Sequence, residues 1–378
     1  MILGLTPPPS VIVIFKYLTI NVITSSGRMI MRKMFKMPPI MSDKDGNTRC
    51  AGFEFELGNL IVEEIAEALH AKLGGELHKT SPFQVRIRHS SIGSLKIERD
   101  TQYLSSLAYR DWLNRLGVSF GPGNEGEYLE KQADKISCQL IPCEIVTAPI
   151  PFDKLHRLND LLEVLDSFGG KGTQEAIYYA FGLHINPSVP EMSCETLLAY
   201  IQAFILLNDW IIKQADTDIS RRFFTKYIDP YPQQYAQLVI DTQYNPDMTT
   251  LIDDYLKYNP TRNRALDMLP IFFTIDAERV IAGVNASERN LIKGRPAFHY
   301  RLPDCRVGEK DWAIEDEWNR WQLIEIITYN TSLRKKFIAL WQKEQAKFKL
   351  DHRSSWVAHA SQFIKNKIQP IYGDMSII

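Results

Sequence analysis

AGFEFELGNL, residues 51–60, sets the first problem: an otherwise apolar run holds two glutamates, Glu54 and Glu56. Side chains alternate faces along a strand, so Phe53, Phe55 and Leu57 point one way and both glutamates the other. Glutamate is disfavoured in strands. At about 6.6 Å separation and an effective dielectric near ~20, two carboxylates repel by roughly 2.5 kcal/mol. Whatever compensates that face has to come from elsewhere in the chain.

The 378 residues are enough to bury a sizeable core, and 45% hydrophobic with 24% charged residues is the balance of a soluble globular protein. A net charge of −1 carries no footprint of a nucleic-acid partner. The five cysteines (Cys50, Cys138, Cys143, Cys194 and Cys305) form no C-x-x-C pair and have no matching histidine spacing. An odd count without a framework fits reduced thiols and a cytoplasmic location better than disulfides or structural zinc. VIVIFKYLTINVI, residues 11–23, is apolar but short and broken by Lys16, so no membrane span is expected from it. Methionines at 29, 31, 34, 37 and 41 suggest a start near Met34. The expected organisation is therefore a poorly ordered or overcalled extension over 1–33, one catalytic domain over 34–370 and a tail over 371–378.

Outward from the opening stretch, CAGFEFEL reads as a strand, and GNLIVEEIAEALHAKLGG as an amphipathic helix closed by Gly74 and Gly75. FQVRIR and SLKIERD are alternating runs joined by HSSIG, a hairpin; in the second, Lys96, Glu98 and Asp100 share a face opposite Leu95 and Ile97. ISCQLIPCEIVTAPI is a strand ended by its prolines, PFDKLHRLNDLLEVLDSFGG a helix, and AFGLHINPSV a short strand. SCETLLAYIQAFILLNDWIIKQ is the longest apolar helix and the expected backbone of the core. Residues 216–294 read as loop-rich with a helix at 251–257; RPAFHYRLP is the last strand, and helices at 315–348 and 354–368 close the chain. Without repeats or long linkers, one elaborated α+β domain is the simplest organisation.

Four strand-like segments present polar residues on one alternating face: Glu54 and Glu56; Glu144; His184 and Asn186; and Arg295, His299 and Arg301. Carboxylates bind hard cations and arginines clamp phosphoryl or carboxylate oxygens, so together they describe a metal–nucleotide site. Each has a plainer reading. E-x-E can be the solvated face of an edge strand, Glu144 a turn residue, His184 a satisfied structural histidine, and the arginines ordinary surface charges. Recurrence on four strands is what favours the site. Two loops are set aside. GPGNEG (121–126) follows no convincing strand, and GGKGT (169–173) lacks the G-K-[ST] order and follows a helix.

Read in order, GFEFELGNL, EIVTAPI, GLHINP and RPAFHYRLPD resemble the amidoligases, relatives of glutamine synthetase and glutamate–cysteine ligase, over roughly residues 34–330. The resemblance implies an α+β fold with a curved, mostly antiparallel sheet of the glutamine synthetase and glutamate–cysteine ligase type, flanked by helices. Its concave face would hold metal ions, ATP and an acidic substrate. The implied reaction phosphorylates a carboxylate with ATP, and an amine then attacks the acyl phosphate. Carried over by position, Glu54, Glu56 and Glu144 correspond to ligands for Mg2+ or Mn2+. His184, Arg295 and His299 correspond to nucleotide or phosphate contacts and Arg301 to a catalytic clamp, with Asp100 and Asn186 on the substrate side. One position departs: a further metal-binding glutamate is expected on the last strand, and FHYR offers His299 instead. Imidazole is a poorer ligand for Mg2+ than for softer metals.

The implied activity is an ATP-dependent carboxylate–amine ligase. Its substrates would be small-molecule or peptide carboxylates, such as a glutamate or γ-glutamyl group, and amines. The alternatives are a guanidino-kinase-like phosphotransferase, a non-catalytic nucleotide- or metal-binding protein and a metal-dependent hydrolase. From pattern alone the reading stops at a carboxylate-rich metal site on a sheet.

Overall fold

The alternation at the opening stretch becomes strand β3 (Cys50–Leu57), the middle of a nine-stranded antiparallel sheet. The computed structural model describes residues 20–23, 29–81, 83–99, 142–168, 182–215, 229–309, 312–346 and 352–373. Asp100 and the loops 121–126 and 169–173 lie outside them. A separate two-stranded ladder pairs β1 (Ile20–Ile23) with β2 (Met29–Arg32). The main sheet adds β4 (Glu76–Ser81), β5 (Gln84–Ser90), β6 (Gly93–Arg99), β7 (Cys143–Thr147), β8 (Ile150–Pro151), β9 (Leu183–Pro187), β10 (Leu266–Asp267) and β11 (His299–Tyr300). Their spatial order is β10-β11-β9-β3-β7-β6-β5-β4, with β8 against the start of β3.

The helices are α1 (Val62–Leu73), α2 (Leu158–Ser167), α3 (Cys194–Gln214), α4 (Gln233–Ile240), α5 (Met248–Tyr258), α6 (Leu269–Ile275), α7 (Ala277–Gly283), α8 (Ile314–Tyr329), α9 (Thr331–Gln345), α10 (His352–Phe363) and α11 (Gln369–Tyr372). The core lies on the face chosen by Phe53 and Phe55, which are fully buried. Trp318 of α8 packs on Phe53 and on Phe152, and Trp321 packs on Phe298 and Tyr300. At the other end of the sheet α1 packs against β5, where Val85 and Ile87 are buried, and Glu63 of α1 pairs with Lys79 of β4. Buried apolar side chains of this kind each contribute roughly 1.5–3 kcal/mol.

The longest apolar helix, α3, is long and apolar enough to cross a membrane by length and composition. Most of it is instead buried, packed on α8 and α10. A buried ion pair ties these layers together. The Arg49 guanidinium faces the Glu325 carboxylate at 2.8 and 3.1 Å, and Glu325 also accepts from Tyr200 Oη and Trp321 Nε1. Arg49 donates as well to the carbonyls of Ile40 and Ser188, which fixes the ends of β3 and β9 against α8.

The α+β class expected from the pattern forms, as do the antiparallel sheet and flanking helices that the resemblance implies. The curved sheet of the glutamine synthetase type does not. The strands form an open path whose ends, β10 and β4, do not pair, and the sheet does not curl on itself. Curling needs bulges distributed through the ladder. Among the described residues the register shifts fall only in the β4–β5 and β5–β6 pairs, at one edge. Over the described residues 229–294 the loop-rich reading also gives way, to four α-helices, because short helices separated by prolines and asparagines carry too few turns for their period to stand out. RPAFHYRLP contributes only the two-residue β11.

Candidate active site

With the apolar side of β3 packed on helices, its glutamates emerge on the opposite face. Register then selects their neighbours. Glu54 lies opposite His184 of β9, Glu56 opposite Glu144 of β7, and Gly52 opposite Asn186. β11 flanks β9 on its far side, and β10 places Asp267 opposite His299.

Glu54 is the hub. His184 Nδ1 lies 3.1 Å from Glu54 Oε2, Asn186 Nδ2 donates to Oε1 at 2.8 Å, and Arg295 Nη1 is 3.4 Å from Oε1. His299 Nε2 lies 3.4 Å from His184 Nδ1, with the two rings edge to face. The donor atoms of Glu54, His184 and His299 all fall within 4.8 Å of one another, although His184 is 130 residues from Glu54 and His299 a further 115 along the chain. Burial alone would raise the Glu54 carboxyl, but the hydrogen bond and charge of His184, with His299 and Arg295 behind it, hold it well below the usual carboxylate range. Burial pushes His299 well below the usual imidazole value, which outweighs the opposing pull of Glu54.

Behind His299 stands Asp267, fully buried, with Oδ2 3.2 Å from His299 Nδ1 and Oδ1 accepting from the Leu269 N–H. Burial raises the Asp267 carboxyl to about 6, against the lowering influence of Arg301, Arg262 and Arg295. At neutral pH the carboxylate accepts the Nδ1 proton of a neutral imidazole, and the Nε2 lone pair turns toward Glu54 and His184.

A family model described as "Putative amidoligase enzyme" matches residues 47–323, from just before β3 into α8. The chain belongs to the amidoligase family. It is an enzyme of the ligase type. No curated protein and no solved structure matches the chain significantly.

The donor set of this amidoligase fits a divalent cation. Besides one carboxylate and two imidazoles, Asn186 Oδ1 is buried and has no hydrogen-bond partner among the described residues, beside the Glu54 oxygen that its Nδ2 holds. A buried carbonyl oxygen left unpaired is costly, and a cation would satisfy it.

The carboxylates expected to act together are divided between two cross-strand rows. Glu54 sits among imidazoles. Glu56 lies at the margin, 3.8 Å from His184 Nε2, with its Oε2 accepting the Gly182 N–H. Glu144 lies between Glu56 and Glu98, which makes one row of three carboxylates on β3, β7 and β6. Glu98 is held by Gln84 and Lys96. Arg295 adjoins Glu54 directly; Arg301 turns its Nη1 to the Arg262 carbonyl, near enough to bear on both Asp267 and His299. Two residues were not singled out from the sequence. Glu98 shares the alternation of SLKIERD and could have been added to the set. Asp267 could not, because a two-residue strand has no period to read.

Proposed function

We propose that this amidoligase joins a carboxylate to an amine, driven by ATP, with a glutamate, γ-glutamyl or peptide carboxylate as the acid. The observation that carries this reading is the Glu54–His184–His299 cluster bordered by Arg295, in a chain of this family. The terminal phosphoryl group of ATP passes to a carboxylate oxygen of the acid and ADP leaves. The amine nitrogen then attacks the acyl carbon, the C–O bond to phosphate breaks, and loss of a proton leaves the amide and inorganic phosphate.

Glu54, His184 and His299 would hold a divalent cation, with Asn186 Oδ1 beside them and Glu56 and Glu144 extending the donor set. Two imidazoles favour Mn2+ over Mg2+. When bound, such a cation supplies positive charge against phosphoryl and carboxylate oxygens. The protein's own part is orientation. Asp267 holds the His299 ring with Nε2 facing inward, and Asn186 fixes the Glu54 carboxylate. Arg295, partly exposed beside Glu54, offers its guanidinium to a phosphate or carboxylate. Cys50 and Cys194 are free thiols, which supports a reducing, cytoplasmic setting.

The test is release of ADP and inorganic phosphate with Mn2+ or Mg2+, pooled acids and pooled amines, for the wild type and Glu54→Gln. Phosphate release that requires both an acid and an amine and disappears in the variant supports the ligase. ADP release with a stable phosphorylated product and no free phosphate would replace it with a phosphotransferase.

A further inference from the structure

The row that contains the site continues across the sheet. From His184 and Glu54 it passes Val146 of β7 to Lys96 of β6, Arg86 of β5 and His78 of β4, each directly opposite the next. Directly opposite residues project from the same face, so this face holds an anionic and imidazole centre at one end and a run of cations at the other. Arg86 and His78 are exposed and Lys96 is about one-third exposed. On the reverse face Val85, Ile87, Leu95 and Ile97 are buried under α1, so the alternation commits Arg86 and Lys96 to the site side.

Cations directly opposite each other in a ladder destabilise it. Lys96 relieves its own charge on Glu98, and His78 lies 3.4 Å from Glu76. Arg86, between them, has no ion pair and no hydrogen bond to another side chain among the described residues, and Arg88, two residues on along the same face, is also exposed. The arrangement repeats the problem of Glu54 and Glu56 with the sign reversed. At about 4.8 Å per strand, Lys96 stands about 10 Å and Arg86 about 14 Å from Glu54.

We propose that Arg86 and Lys96, with His78 at the rim, form an anion subsite on the same face as the catalytic centre, taking a second anionic group, carboxylate or phosphate, of a substrate whose reacting end lies at Glu54. This rests on the ligase reading for what lies at the reacting end. The acid substrate is then a polyanion, such as an acidic peptide, whose distal charge is held three strands away by guanidinium and ammonium groups. If the distal anion is instead the nucleotide's phosphate chain, the same cations hold it and the acid enters from the Arg295 side.

The experiment is calorimetric titration of the wild type, Arg86→Glu, Arg86→Lys and Glu54→Gln with two probes, triglutamate and inorganic triphosphate, at low and high salt. Arg86→Glu is expected to weaken one probe by about tenfold or more, with Arg86→Lys intermediate and the wild-type affinity falling as salt rises. Loss confined to triglutamate assigns a carboxylate subsite, and loss confined to triphosphate a phosphate subsite. Unchanged affinity for both probes in Arg86→Glu, or no binding of either by the wild type at low salt, overturns the proposal. The ligase reading fails separately. Absence of ADP release alongside Arg86-dependent anion binding would remove the ligase and keep the subsite. ADP release with the same KM for acid and ATP in Arg86→Glu would do the reverse.

Discussion

Asp267 Oδ2 lies 3.2 Å from His299 Nδ1, and this contact decides which nitrogen His299 turns toward Glu54 and His184. An asparagine at 267 keeps the size of the side chain but can present an N–H where the carboxylate accepts, which frees the ring to reverse its tautomer. Asp267→Asn is expected to weaken Mn2+ binding by about 10–100-fold, the usual cost of losing such an outer partner. Manganese titration followed by electron paramagnetic resonance reads this directly, beside a circular dichroism spectrum for the fold. Wild-type affinity in the variant would show that Asp267 does not orient the ring.

The Glu54 carboxyl is held below its ordinary value of 4.5 in the folded protein. A depressed folded-state value contributes stability above the unfolded value and loses it as pH falls through the folded one. Metal-free wild type is therefore expected to lose stability progressively below about pH 4.5, as the unfolded chain takes up this proton first. Glu54→Gln removes that component. Urea midpoints from pH 6 to pH 3 should fall less steeply in the variant; parallel curves would count against the assignment.

Arg49 and Glu325 have fully buried side chains. Among the described residues, Arg49→Met leaves the Glu325 carboxylate with the Tyr200 hydroxyl and the Trp321 N–H. Breaking one side of a buried pair costs roughly 3–5 kcal/mol. Equilibrium urea unfolding should give that loss, whereas a change below about 1 kcal/mol would place the pair among those worth little.

Gly74 and Gly75 both have positive φ, +69° and +97°. A Cβ on Gly74 meets nothing nearby, but on Gly75 it runs into the Arg88 carbonyl oxygen and the Ser90 N–H of β5. Gly74→Ala is expected to cost about 1–3 kcal/mol from backbone strain alone. Gly75→Ala should cost clearly more, because the atoms it meets are backbone of the sheet. Thermal denaturation of the two variants compares them, and equal losses would mean that β5 yields easily.

Much of the site face was legible in the sequence because a strand writes its two faces as a period of two. Glu54 with Glu56, His184 with Asn186, and Lys96 with Glu98 each declare a shared face within a few residues, and the phenylalanines between the glutamates declare which face is buried. The helix closed by Gly74 and Gly75 is equally local. Short elements defeat this reasoning. β10 and β11 have two residues each and β4 is exposed up to its last residue, so none carries an alternation.

The sequence by itself determined which side chains stand together on each strand and which side of that strand meets the helices, since both follow from backbone geometry within one segment. Tertiary structure alone decided which strands are neighbours and in what register. It set Glu54 beside His184 and Glu56 beside Glu144, brought His299 in from the last strand, and stood Asp267 behind it. It also left the sheet an open path instead of a curled one. Those choices bring together residues from 32 to 130 positions apart, with free energy that comes from packing Phe53, Trp318 and Trp321 into one core, and no short stretch of chain records them.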